Sequence, residues 1–130
     1  ENWTYPLIQP KLIEKYLQVK NNSIIGATIT VTVDRPLGSY HPEYKDMYYP
    51  INYGYIEGVM APDGEEQDAY ILGVNEPVDK FTGKIIAIVH RKDDIEEKWV
   101  VVPDGMMFSK DEIRQQIYFQ EQYFDSEIVM

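Results

Sequence analysis

The stretch from Ile24 to Val33 places the strongest constraint on how this chain can fold. It reads Ile-Ile-Gly-Ala-Thr-Ile-Thr-Val-Thr-Val, with Ile29, Val31 and Val33 alternating against Thr28, Thr30 and Thr32. Period-two alternation of β-branched residues is the pattern of a half-buried strand. Asp34-Arg35-Pro36-Leu37-Gly38-Ser39 breaks it, because Pro36 has no N–H and Gly38 tolerates a tight turn. Further short β-type runs follow, near Met47 to Tyr49, from Ala69 to Val74, from Lys84 to His90 and from Lys98 to Val102. They are separated by Asn75-Glu76-Pro77, by Phe81-Thr82-Gly83 and by a charged hairpin turn from Arg91 to Glu97. Short strands joined by Gly/Pro turns predict a small β-barrel or sandwich. At 130 residues there is material for one core.

The period changes at both ends. Ser109-Lys110-Asp111-Glu112 has the form of a capping box and predicts a helix from about Lys110 to Phe124 laid against the barrel. Ile113, Ile117 and Phe124 form its apolar stripe, with Gln116, Gln120 and Glu121 expected to face elsewhere. Near the start, Pro10 opens a stretch with Leu12, Ile13, Tyr16 and Leu17 on one helical face, closed by Asn21-Asn22-Ser23. We expect residues 1–23 to be an added N-terminal arm with a short helix, and residues 24–130 to be the barrel with its C-terminal helix. The fold class is thus mainly β with helix.

Charge narrows the partners. The chain has 12 basic and 22 acidic residues, a formal net charge of −10. Nucleic acid and anionic membrane both require a positive footprint, so neither is the expected partner. An acidic protein can still bind an anionic phosphate if divalent cations stand between the two. The chain has no cysteine, which removes disulfides, thiolate metal sites and a cysteine nucleophile, and suits a cytoplasmic setting. The first residues lack the charged and apolar regions of a signal peptide.

The candidate chemistry gathers in the acidic turn Asp63-Gly64-Glu65-Glu66-Gln67-Asp68. Asp63, Glu65 and Asp68 lie within six residues, and Gly64 allows a bend that could let them converge on one centre. Magnesium takes oxygen ligands and is held by a few carboxylates plus waters and substrate phosphates. A solvated surface turn is the bland alternative. A second acidic cluster, Asp93-Asp94 with Glu96-Glu97, tips the next hairpin. Lys98 follows Glu96 by two residues, on the same face of a regular strand, where its ammonium could meet a phosphate oxygen. Arg35 is a candidate anion clamp. Tyr48, Tyr49, Tyr53 and Tyr55 are core or turn residues, or hydrogen-bond donors to a phosphate.

Tyr49-Pro50-Ile51-Asn52-Tyr53-Gly54-Tyr55-Ile56 followed by the acidic turn resembles the first family of soluble inorganic pyrophosphatases. The strand Glu96-Glu97-Lys98-Trp99-Val100-Val101-Val102-Pro103 and the segment Phe119-Gln120-Glu121-Gln122-Tyr123-Phe124-Asp125 also resemble that family. The likeness runs from about Ile24 to Glu127. It implies a five-stranded OB-like barrel with a C-terminal helix and Mg²⁺-dependent hydrolysis of pyrophosphate to two orthophosphates; homo-oligomeric assembly is the expectation from the added arm at Trp3 to Lys20. By position it implies Asp63, Asp68, Asp93 and Glu96 as metal ligands, with Asp94 an alternative for Asp93. Glu65, Asp68 and Tyr53 would be catalytic, and Arg35, Tyr53, Lys98 and Tyr123 would bind substrate. An alignment on Trp99 instead sets Lys98 where the family has a metal-binding Asp.

The chain also departs from the family. Glu65 stands where the family has an aspartate, and the extra methylene displaces that carboxylate by about a bond length; a misplacement near 1 Å costs on the order of 100-fold in rate. Glu66 replaces a turn proline, and Phe124 replaces a phosphate-binding lysine. His41, Lys45, Arg91 and Lys92 are candidates to supply the lost charge. The alternative is therefore a catalytically weakened relative that binds a phosphorylated metabolite or a protein.

Overall fold

A computed structural model describes residues 24–93 and 95–130. The expected N-terminal arm and Asp94 lie outside the described residues. In chain order the elements are β1 (Thr28–Arg35), β2 (Asn52–Met60), β3 (Glu66–Ile71), β4 (Lys80–Arg91), β5 (Glu97–Val102), helix α1 (Lys110–Glu121) and β6 (Ser126–Val129). The strands form one sheet in the order β1-β2-β3-β5-β4-β6, and an added β1–β4 pairing closes the first five of these into a barrel. Every pairing is antiparallel except β3 with β5, which is parallel. This is the expected OB-like barrel with a C-terminal helix, with β6 added to the edge of β4.

Several boundaries moved. The expected strand near Met47 to Tyr49 is a single bridge between Tyr40 and Tyr48. The tyrosine segment itself is β2, and the strand expected at Ala69 starts at Glu66, so Asp68 sits within β3 and outside the turn. Cross-strand pairing with β2 extends it: Gln67 pairs with Ile56 and Asp68 with Tyr55. The helix ends at Glu121. Its capping box is in place, with Glu112 N–H donating to Ser109 Oγ at 3.1 Å and Ser109 N–H to a Glu112 carboxylate oxygen at 2.7 Å.

Two apolar clusters occupy opposite faces of the barrel wall. Val31, Ile56, Ala69, Ile71, Ile85 and Val101 fill the interior. Tyr53, Tyr70, Leu72, Val89, Val100 and Val102 pack outward against Ile113 and Ile117 of α1. The long apolar run of β4 serves both faces through a bulge between Ile85 and Ala87, which sends Ile85 inward and Ala87 outward. Gly54 is required where β1 crosses β2, because a Cβ there would sit 2.0 Å from the Thr32 carbonyl oxygen.

Candidate functional site

A cleft of about 750 Å³ opens on the outer, helix-covered face, near the C-terminal end of α1. Arg35, Tyr53, Asp68 and Lys98 line it from the barrel, and Tyr123 and Phe124 from the segment after the helix. Register explains the convergence from the barrel. Tyr53 of β2 lies opposite Arg35 of β1 on one side and Tyr70 of β3 on the other. Asp68 of β3 lies opposite Lys98 of β5.

Arg35 reaches this face through an irregularity in β1. Val33 pairs with Gly54 and Arg35 with the adjacent Tyr53, so Asp34 is an extra residue. In a regular strand Arg35 would follow Val31 and Val33 into the barrel interior. The bulge turns Arg35 out to the cleft, and Asp34 lines it too. Arg35 Nη1 donates to the Asp34 carbonyl at 3.1 Å and lies 3.5 Å from its carboxylate.

At the centre, Lys98 Nζ lies 2.6 Å from Asp68 Oδ2 and 3.2 Å from each carboxylate oxygen of Glu96. The Lys98 side chain is only 4% exposed, against 34% for Asp68. Burial works against the ammonium charge, but the neighbouring Tyr53 and Asp68 outweigh it and hold the lysine above its ordinary range. Burial also pushes the Tyr53 phenol up. The Tyr53 ring centroid is 5.6 Å from Lys98 Nζ.

Behind this centre runs a buried polar network that the apolar-stripe reading placed wrongly. Gln120 and Glu121 are buried and do not face away. Glu121 Oε1 accepts from Arg91 Nε at 3.1 Å and Ser126 Oγ at 2.5 Å. Its Oε2 accepts from Arg91 Nη2 at 2.9 Å and from the Tyr70 hydroxyl. Burial pushes the Glu121 carboxyl up, and these donors reverse that and hold it below its ordinary value. Gln120 Nε2 donates to the Tyr70 oxygen at 2.8 Å, while its Oε1 accepts from the Tyr49 hydroxyl at 3.2 Å. The signal was in the spacing, since Ile113, Ile117, Gln120 and Glu121 stand at i, i+4, i+7 and i+8, one face of a helix.

Of the residues named from sequence, the cleft gathers Arg35, Tyr53, Asp68, Lys98 and Tyr123. Glu96 joins them through Lys98 and lies 3.7 Å from Arg91 Nη1. Asp63 and Glu65 sit exposed on the turn between β2 and β3 and do not line the cleft. Asp63 Oδ1 accepts the Glu65 backbone N–H at 3.0 Å, so this carboxylate helps shape the turn. Asp93 is exposed on the β4–β5 hairpin, also outside the cleft lining. Among the described residues, no three carboxylate or imidazole side chains gather closely enough to hold a metal ion by themselves.

Of the four candidates named from sequence to supply further positive charge, Arg91 and His41 line the cleft, and Lys45 and Lys92 do not. The Arg91 guanidinium carbon lies 3.6 Å from the centre of the Phe124 ring, so a buried cation sits against that ring. His41 Nδ1 instead accepts the backbone N–H groups of Glu43 and Tyr44 at 3.0 and 3.1 Å.

Comparison with known proteins agrees with this fold. The inorganic pyrophosphatase family model matches residues 18–121, and the chain belongs to that family. An inorganic pyrophosphatase of Halalkalibacterium halodurans is 28% identical over 103 residues, 74% of this chain. The match spans 61% of that relative's length. Among solved structures, the inorganic pyrophosphatase of Ehrlichia chaffeensis superposes with a TM-score of 0.60 at 19% identity, covering 79% of this chain and 85% of that one. The inorganic pyrophosphatase of Neisseria gonorrhoeae gives 0.57 at 19% identity, covering 75% and 74%. At these identities the structural likeness is one of fold.

Proposed function

We propose that this protein hydrolyses inorganic pyrophosphate to two orthophosphates with the help of a divalent cation, magnesium. The observation that carries the reading is the convergence of Lys98, Asp68, Tyr53 and Arg35 on one cleft of a pyrophosphatase fold. Charge supports the need for a cation. Arg35, Arg91 and Lys98 face Asp34, Asp46 and Asp68 across the cleft, so its lining is formally neutral and cannot alone balance a polyanionic substrate.

The residues present fit magnesium. Asp68 and Glu96 direct carboxylate oxygens to a common point, now held by Lys98 Nζ, and magnesium is commonly held by one or two carboxylates with water and substrate phosphate completing the shell. When bound, the ion supplies Lewis-acid charge to the anhydride oxygens and eases formation of hydroxide from water. Lys98 and Arg35 supply cationic donors to the phosphates, with the Tyr53 and Tyr123 hydroxyls as neutral ones. For Asp63 and Asp93 as further ligands, and Glu65 as the acceptor of the water's proton, the support is family resemblance, since none of them lines the cleft.

Release of phosphate from pyrophosphate, with and without Mg²⁺, in wild type and Asp68→Asn tests the proposal. Magnesium-dependent release that falls at least 100-fold in the variant is expected. No release above the variant's background would sink it. Homo-oligomeric assembly and a cytoplasmic location complete the proposal, to be checked by sedimentation equilibrium and by cell fractionation.

A further inference from the structure

We propose that Arg91 is a further substrate-binding residue of the cleft, with one edge of its guanidinium anchored by Glu121 and the other presented to an oxyanion of the substrate. Three observations carry this. The side chain is only 6% exposed, yet it lines the cleft. Glu121 engages one edge alone, accepting from Nε at 3.1 Å and from Nη2 at 2.9 Å. The Phe124 ring covers one face of the group, its centre 3.6 Å from the guanidinium carbon.

A guanidinium carries its N–H groups as a rigid planar fork, and Glu121 takes only the pair on Nε and Nη2. The N–H groups of Nη1 and the second one of Nη2 form the other edge. They make no hydrogen bond among the described residues, since Glu96 Oε1 stands 3.7 Å from Nη1, beyond hydrogen-bond distance. Polar groups this far from bulk water are normally partnered, so such an edge in a cleft wall points to a ligand. Paired donors match two oxygens of one phosphate, which the point charge of a lysine does not. The fold fixes where this edge lies. Arg91 pairs across β4 and β6 with Ser126, whose Oγ donates to the same Glu121 carboxylate. The next residue, Lys92, donates its N–H to the Asp125 carbonyl at 2.7 Å. Protein contacts thus hold the plane of the group, and binding through it costs little side-chain freedom. The proposal rests on the pyrophosphatase reading for the identity of the anion as a phosphoanhydride; the anion-binding edge does not.

Two measurements on the full chain with Mg²⁺ test this: steady-state hydrolysis of pyrophosphate, and calorimetric titration with the non-hydrolysable analogue imidodiphosphate. Arg91→Lys keeps the charge beside Glu121 and loses the paired edge. It is expected to raise KM for pyrophosphate and Kd for the analogue on the order of 10-fold, with a smaller change in kcat. Arg91→Met in a Glu121→Gln background leaves no charge buried alone, and should show at least the same rise relative to Glu121→Gln by itself. Arg114→Lys, at an exposed helix position outside the cleft lining, should leave both constants unchanged. Urea unfolding of each variant separates lost stability from lost affinity. Destabilisation with unchanged KM and Kd in both Arg91 variants overturns the proposal, and so does an equal rise in Arg114→Lys. The two readings fail separately. Wild-type hydrolysis with unaltered constants in the Arg91 variants rejects only the role of Arg91. Analogue binding that weakens in those variants, alongside a wild type that leaves pyrophosphate intact, rejects only the pyrophosphatase reading. A wild type that neither hydrolyses pyrophosphate nor binds the analogue rejects both.

Discussion

The two sides of the barrel wall are built from different chemistry. The interior is aliphatic, with Val31, Ile71, Ile85 and Val101 almost wholly removed from water and packed on one another. The outer side under α1 starts from similar residues, Val89, Val100 and Val102, and then changes. Towards the end of the helix it carries Tyr49, Tyr53, Tyr70, Gln120, Glu121, Arg91 and Lys98, all buried and several joined by hydrogen bonds. Apolar burial is non-directional and tolerates many arrangements, whereas a buried charge network is stable only when each member has its partner. The interior therefore secures the barrel, and the outer side holds side chains at set positions around the cleft. The comparison teaches that stability and function are divided by face, along the same strands.

The largest expected effect breaks the outer side. Glu121→Ala leaves Arg91 buried without its carboxylate partner and removes an acceptor from Tyr70 and Ser126. A loss of about 3–5 kcal/mol in urea unfolding is expected. Glu121→Gln keeps the shape and some of the bonds and should lose less. It also reads out pH. The Glu121 carboxyl lies below its ordinary value of 4.5 in the folded chain, so its stabilising contribution is complete above that value and is lost as pH falls through the lowered one. Urea titrations across the acid range should show a flatter decline for the glutamine variant than for wild type.

On the interior side, Ile71→Ala opens a cavity at a fully buried position and should cost about 3 kcal/mol of stability. The turnover of the folded fraction should stay near the wild-type rate, since Ile71 faces away from the cleft. A steep fall in turnover would show that the two faces are not separable. Asp68→Asn is the opposite case. Its predicted loss of at least 100-fold in turnover corresponds to about 2.7 kcal/mol of transition-state stabilisation, with a smaller change in the unfolding midpoint. The smallest effect is expected from Ser109→Ala, which removes the helix cap far along α1 from the cleft. About 1 kcal/mol of stability should be lost, visible in thermal melts, with turnover unchanged.

Much of the architecture was legible in local pattern. Alternation in residues 28–33, the apolar run of β4, the charged hairpin before Lys98 and the Ser109–Glu112 capping box each corresponded to an element, with shifted ends. Strand ends moved because they depend on the neighbouring strand: Gln67 and Asp68 are polar, yet pairing with Ile56 and Tyr55 extends β3 through them. The short strand β6 carries too few residues to declare itself and exists through its pairing with β4. In the site, the nearness of Glu96 and Lys98 followed from strand periodicity alone. The place of Asp68 beside them did not, because it depends on the parallel register of β3 with β5, between residues thirty positions apart.

By itself, the sequence determined that this chain is a set of short strands with a capped C-terminal helix, and its tyrosine segment and acidic turn pointed to the pyrophosphatase family. Hydrophobic period and turn chemistry act between near neighbours, and so they are written in order along the chain. Tertiary structure alone decided which face each functional group occupies. One extra residue, Asp34, carries Arg35 from the interior side to the cleft. The partners of Gln120 and Glu121 make it favourable to bury them, and Lys98 completes a contact between a carboxylate of β3 and one just before β5. A charged side chain is buried only where its partners already stand, and those partners come from distant parts of the chain.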